Sequence, residues 1–156
     1  MIKNRLFILR EYNNMYQSQI SKQLNITQQS YSLWERGTTI IPLKHLNTIS
    51  NIFDVSLDYI LGLSSKKKPV FLKQITTLNS YEIGMKVKKI REDNNLTLRS
   101  LAKELNTTSS TISAYESGKI LILTAFAYEI CLKYDYSLDW LCGKSNIKKR
   151  TNITAP

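Results

Sequence analysis

The side chains that could do chemistry in this chain are few, and their spacing favours binding over catalysis. His45 is the only histidine, and Cys131 and Cys142 are the only cysteines. Their separation makes no metal-ligand pattern. Apolar neighbours (Ile130, Leu132, Leu141) read both thiols as buried and free. No Ser/His/Asp set, no catalytic carboxylate motif and no phosphate loop is present. The expectation is therefore no enzyme, no metal, no cofactor and no small-molecule site. What remains is charge and hydrogen bonding. Arg10 and Glu35 lie 25 positions apart, and so do Arg91 and Glu116. Gln28 and Gln29 stand side by side, and a glutamine amide can pair with two atoms of one adenine edge. Lys and Arg number 22 against 12 Asp and Glu, a net +10. Such an excess attracts polyanions, but charge alone suits a nucleic acid and a merely solvated basic surface equally.

An internal repeat supplies the elements that must position these residues. A shift of 81 superposes the two halves without a gap. Arg10-Glu11 falls on Arg91-Glu92, Leu24-Asn25 on Leu105-Asn106, and Glu35 and Gly37 on Glu116 and Gly118. Ser56-Leu57-Asp58 falls on Ser137-Leu138-Asp139, Gly62 on Gly143, and Lys67-Lys68 on Lys148-Lys149. Two copies of one domain of about 60 residues is the economical reading, with the net charge split evenly between them. The organisation expected is a domain over 1–63, a basic linker over 64–80, a second domain over 81–143 and a basic tail over 144–156. Pro69 argues against helix in the linker, while Val70-Phe71-Leu72 is too apolar for a free tether, so part of it should pack. The tail reads as frayed. No run of 18 apolar residues and no signal-peptide core occurs, so no membrane span and a cytoplasmic location are expected.

Each copy reads as five short helices, an all-α fold. In the first they fall near 3–13, 17–24, 28–35, 43–53 and 57–61, with apolar residues at helical spacing. Asn25 suits a left-handed turn, Thr27 and Ser56 suit N-caps, and Gly37 and Gly62 suit helix ends. The second copy gives 84–94, 98–105, 109–116, 124–134 and 137–142. A helix, a tight turn and a second helix make a helix-turn-helix unit.

Residues 5–62 resemble the lambda-repressor-like, Cro/CI-type (xenobiotic response element) regulators. The resemblance rests on Leu9-Arg10, Gln17, Ile20, Leu24, Ile26-Thr27, Trp34-Glu35-Arg36-Gly37, Pro42, Leu46, Ile49, Phe53, Val55-Ser56-Leu57-Asp58-Tyr59 and Leu61-Gly62. Residues 86–143 carry a weaker version, including Ile90-Arg91, Leu101-Ala102, Thr108, Tyr115-Glu116-Ser117-Gly118 and Ser137-Leu138-Asp139-Trp140. The resemblance implies two tandem five-helix domains whose second and third helices read double-stranded DNA. It makes Arg10–Glu35 and Arg91–Glu116 ion pairs tying the first helix to the third. Gln17 would touch a phosphate and brace the third helix.

In such a fold the N-terminal part of the third helix enters the major groove. Thr27, Gln28, Gln29, Ser30, Ser32 and Leu33 are the candidates there, with Tyr31 turned inward. Thr38, Thr39 and Lys44 could reach phosphates. In the second copy Leu98 replaces the glutamine, and Ser109, Ser110, Ser113 and Ala114 are short, although Arg99 and Lys119 add charge. That copy either grips phosphates or serves as a pairing module for a homodimer. The apolar run Ile120-Leu121-Ile122-Leu123, with Phe126 and Tyr128, is either an interface or core. The leading expectation is a sequence-specific regulator of the repressor kind. The alternative is an antitoxin or other protein-interaction module on the same scaffold.

Overall fold

The computed structural model describes residues 2–150. The first repeat folds as α1 (Leu6–Tyr12), α2 (Gln17–Gln23), α3 (Gln28–Glu35), α4 (Leu43–Phe53) and α5 (Leu57–Ile60). The second folds as α6 (Ser80–Asp93), α7 (Leu98–Glu104), α8 (Ser109–Glu116), α9 (Thr124–Tyr134) and α10 (Leu138–Leu141). Among the described residues the only β pairing is one isolated bridge, Tyr136 to Lys149, and no helix is long and apolar enough to cross a membrane.

Local chemistry sets the helix ends in matched pairs. Thr27 Oγ1 accepts from Ser30 N, and Thr108 Oγ1 from Thr111 N. Ser56 and Ser137 cap α5 and α10 in the same way, satisfying first-turn N–H groups that have no helical acceptor. The left-handed residues pair as well: Asn14 with Asn95, Asn25 with Asn106, Asp54 with Asp135, Gly37 with Gly118 and Gly62 with Gly143. Each pair is 81 positions apart, so the repeat exists in backbone conformation as well as in residue type.

Each domain buries its own apolar stripe: Leu6, Leu9, Ile20, Tyr31, Leu46 and Ile49 in the first, Val87, Ile90, Leu101, Ile112, Ala127 and Ile130 in the second. A fully buried aliphatic side chain of this size stabilises by about 1.5–3 kcal/mol. Cys131 and Cys142 are buried and free.

Three sequence expectations are corrected. The second domain's first helix begins at Ser80 rather than at 84, capped by Asn79 Oδ1, which accepts from Tyr81 N and Glu82 N. Gly84 therefore lies inside a helix. It is needed for close approach: a Cβ there would sit 2.2 Å from the Tyr115 carbonyl oxygen at the end of α8. The tail is not frayed as far as residue 150. Lys144 and Ser145 are buried, and Ser137 N donates to Lys148 O, as Ser56 N does to Lys67 O. Residues 151–156 lie outside the described residues. In the linker, Pro69 is buried and Leu72 half-buried, but Val70 and Phe71 stand exposed. The linker is held by its backbone instead. Ile75 O accepts from Nδ2 of Asn47 and of Asn51, and Lys73 N donates to Lys144 O.

The two domains meet through α5 and α10, each only four residues long. Asp139 Oδ1 accepts from Leu57 N at 2.7 Å and its Oδ2 from Asp58 N at 3.0 Å. In return Asp58 Oδ1 accepts from Leu138 N at 2.7 Å and its Oδ2 from the Ser137 hydroxyl at 2.6 Å. Residues 57 and 58 are the repeat equivalents of 138 and 139, so the contact is isologous, as across a two-fold axis. Both carboxyls are 1% exposed. Burial raises the pKa of each, and the charge of Asp58 raises Asp139 further. Arg150 partly opposes the rise at Asp58, and burial lowers the pKa of the Lys144 ammonium while the charge of Asp139 in turn raises it.

A carboxyl with a raised pKa binds its proton more tightly folded than unfolded, where it titrates near about 4. Its contribution to stability is full below that value and is lost as pH rises through the raised folded value. The unfolding temperature of the wild type, relative to Asp58→Asn/Asp139→Asn, should therefore rise as pH falls from 8 to 5. Each pH unit inside the window changes stability by up to about 1.4 kcal/mol per proton, and each kcal/mol shifts a chain of this size by about 2–4 °C. Circular-dichroism melts across that pH range check it; a parallel pair of curves would contradict it.

Candidate nucleic-acid interface

The first helix-turn-helix is α2, the turn at Asn25 and α3. Asn25 takes φ 54°, which costs asparagine less than most residues. Thr27 then starts α3. Its hydroxyl accepts from Ser30 N at 3.1 Å and donates to Ser30 Oγ at 3.0 Å, so both hydroxyls are engaged in the cap. On α3, Tyr31 and Trp34 are buried, Gln28 and Gln29 are exposed, and Ser32 and Leu33 are half-buried. Tyr31 is turned inward and Gln28 and Gln29 outward as expected from the sequence, while Ser32 and Leu33, expected outward, are partly covered. Trp34 packs edge-on to Tyr31 and lies 5.3 Å from the His45 ring on α4. His45 is accordingly a half-buried packing residue, and burial lowers its pKa.

A buried fork fixes the far end of α3. Arg10 Nε donates to Glu35 Oε2 at 2.9 Å and Nη2 to Oε1 at 2.7 Å. The two side chains are 10% and 5% exposed. Two parallel charge-assisted bonds restrict rotation about either one. A further bond from Nη1 to Met15 O ties the fork to the loop before α2. The Arg10 hydrogen bond to Glu35 holds the guanidinium charged. The Tyr31 hydroxyl is buried beside this pair with no hydrogen-bond partner among the described residues. Its pKa is raised by burial first and by the Glu35 charge second. Asn4 adds a last tether, donating to Trp34 O at 2.8 Å.

The second domain repeats the device. Arg91 Nε donates to Glu116 Oε1 at 2.5 Å and Nη2 to Oε2 at 3.4 Å, and Nη1 reaches Leu96 O. Gly84 and Gly118 let α6 lie directly on the end of α8, where Ser80 Oγ donates to Gly118 O. Ser109, Ser110, Ser113, Ala114 and Lys119 line one shallow groove together with Leu98 and Ser117. Arg99 is exposed on the adjoining turn of α7.

Beyond the C-terminal end of α3, Thr38, Thr39 and Lys44 are exposed. The Thr38 and Thr39 N–H groups both donate to Leu33 O, so their hydroxyls rather than their amides face outward bonding. Gln17 is half-buried at the first residue of α2. Among the described residues no hydrogen bond joins its side chain to α3, so the expected brace is not made in the free chain. Sequence reasoning passed over Arg36, exposed beyond the end of α3 with its Nε directed at Ser32 O. It also missed the interdomain roles of Asp58, Asp139 and Lys144. The apolar run after α8 is core in part, with Ile120 and Leu123 left exposed. Ile122 is buried, Phe126 packs on Tyr115, and Thr124 Oγ1 donates across the domain boundary to Ile41 O.

Comparisons with known proteins agree with this architecture. A family profile described as "Helix-turn-helix" matches residues 6–60, and one described as "Helix-turn-helix domain" matches residues 84–147. The chain is 33% identical over 69 residues to the uncharacterized HTH-type transcriptional regulator YobD of Bacillus subtilis (strain 168). That match takes in 44% of this chain and 62% of the relative. It is 37% identical over 68 residues to the uncharacterized HTH-type transcriptional regulator YqaE of the same strain, 44% of this chain and 59% of the relative. The chain thus spans about three-fifths of the length of these curated relatives. No solved structure gives a significant match. The chain carries two helix-turn-helix domains in tandem.

The fork yields a stability test. Arg10→Met strands the Glu35 carboxylate inside the first domain and should cost about 3–5 kcal/mol. Arg10→Met/Glu35→Leu removes both charges and should recover most of that loss. Urea unfolding of the three proteins decides it: a double variant as unstable as the single one would show that Arg10 acts by packing alone.

Proposed function

We propose that this tandem helix-turn-helix protein is a sequence-specific, double-stranded-DNA-binding transcriptional regulator that works as a repressor, with α3 as its major-groove reader. The observation that carries the reading is the pair of exposed glutamines on the first turn of a helix anchored at its other end by a buried Arg–Glu fork. Gln28 and Gln29 are free to present both amide atoms to base edges, and adenine N6/N7 is the natural match. Leu33 supplies an apolar surface for a thymine methyl. Together they specify an A/T-containing half-site.

The neighbours position rather than read. Thr27 and Ser30 hold the helix start, Ser32 lies one turn on, and Gln17, Thr38, Thr39 and Lys44 contact phosphates. In the second domain Ser109, Ser110 and Ser113 discriminate bases poorly, while Arg99 and Lys119 grip the backbone. The naming of YobD and YqaE as HTH-type transcriptional regulators supports the assignment. Repression needs no more than occupancy of the operator, and binding, not catalysis, is what the exposed groups can do.

Selection of bound duplexes from a random library tests the reading. The intact chain should enrich an A/T-containing half-site. Gln28→Ala and Gln29→Ala should each weaken binding to it by about 1–3 kcal/mol and relax specificity at one position. Lys44→Ala should instead weaken binding to all duplexes alike and lower the salt slope by about 1. No loss of affinity in either glutamine variant would refute base reading by α3.

A further inference from the structure

The α5–α10 contact is reciprocal at its centre and unlike at its rim. Lys144 stands where the first repeat has Leu63, and both are buried. Lys144 Nζ donates to Asn47 Oδ1 at 3.0 Å and to Asn51 Oδ1 at 2.7 Å, both on α4 of the first domain. The Nδ2 groups of the same two asparagines hold the linker at Ile75 O. The repeat equivalents of Asn47 and Asn51 are Tyr128 and Leu132. A second domain facing another second domain would set Lys144 against that tyrosine and leucine. A first domain facing another first domain would set the two amides against Leu63. Either arrangement buries polar groups with their partners lost, which is unfavourable. The rim therefore selects unlike pairing by penalising like pairing. Thr124 to Ile41 O, at 2.7 Å, and Arg150 Nη1 to Leu63 O, at 3.2 Å, add bonds across the same boundary. They too lack reciprocal counterparts, because Leu43 and Pro69 occupy the equivalent positions.

This removes the freedom a linker would give. A loose chain of this length spans a root-mean-square distance of roughly 20–25 Å and allows many orientations of its ends. Here the linker is pinned at Lys73 and Ile75, and the domains are joined by buried bonds.

We infer that the clasp makes one chain a self-contained pair of unlike reading heads, engaging one duplex at two dyad-related half-sites of fixed spacing. The first half-site contains A/T and is read by Gln28 and Gln29. The second is gripped at its phosphates by the groove between Ser109 and Lys119. This rests on the reading proposed for α3 and adds the architecture of the operator.

The test uses the intact chain and duplexes that carry the enriched A/T half-site with about one helical turn of flanking duplex on one side only, on the other side only, or on both. Affinity is measured by fluorescence anisotropy and stoichiometry by native mass spectrometry. The wild type should bind the two-flank duplex one to one. Removing the flank on the side of the second head should weaken it roughly 100-fold, the scale of an avidity gain lost when two sites cannot be engaged together, and removing the opposite flank should change it little. Asp139→Asn/Lys144→Ala, which loosens the clasp, should lose most of that side dependence. If this variant fails to fold, the wild-type duplex series alone decides. Binding that responds alike to loss of either flank, or two chains per duplex, overturns the fixed pair and leaves base reading by Gln28 and Gln29 intact. A folded variant as side-dependent as the wild type overturns the clasp as the device. Absence of selective binding to any duplex overturns both readings.

Discussion

The arrangement of this chain depends on an obligation of two very short helices. A buried backbone N–H must find an acceptor, and a helix of four residues supplies none for its first turn. Ser56 and Ser137 satisfy one donor each, at Tyr59 and Trp140. Of the other first-turn N–H groups, those of Leu57, Asp58 and Leu138 are each satisfied by a carboxyl group from the other repeat. With α5 and α10 buried against one another, each domain thus supplies acceptors that the other's helix lacks. The same bonds that finish the local structure set the two domains in a reciprocal relation, and everything said of paired reading heads follows from that coupling.

Much of this was legible in the sequence, and the residues show why. The Arg10–Glu35 and Arg91–Glu116 forks could be read because the spacing recurred and both ends fall at fixed places in a known helical pattern. Thr27, Ser56, Asn25 and Gly37 could be read because caps and left-handed turns are local matters, decided within four residues. Ser-Leu-Asp was visible as a repeated motif, but which domain Asp58 serves is a tertiary fact separated by about 80 positions. Lys144 was placed in a solvated tail because lysine is rarely buried. Its acceptors lie 97 and 93 residues away, beyond any local pattern. The sequence reading starts α6 at 84, the position that answers to residue 3 of the first repeat; nothing local shows that Gly84 belongs inside a longer helix. In fact the absent Cβ is what lets α6 touch α8.

The duplication has kept geometry and changed chemistry. Caps, left-handed residues and forks match pair by pair, so α3 and α8 are delivered by the same construction. The outward residues do not match: two long amides in one copy face short hydroxyls in the other. A scaffold with a near two-fold relation then presents different side chains on its two helix-turn-helix faces.

Charge placement joins the scaffold to the reading surface. The stretch from α2 to α3 contains a single carboxylate, Glu35, and that from α7 to α8 contains Glu104 and Glu116. Glu35 and Glu116 are drawn into the forks. Glu104 bonds to the Tyr134 hydroxyl, which lowers its pKa, and pairs with Lys133. The remaining ionised groups of those elements, Lys22, Arg99 and Lys103, are exposed cations, as are Arg36 and Lys119 in the turns that follow α3 and α8. Asp58 and Asp139 are likewise withdrawn, into the clasp. The interactions that hold the recognition helices and join the domains consume negative charge. The same residues that stabilise the fold therefore leave the helix-turn-helix faces positive, the sign that a phosphate backbone attracts.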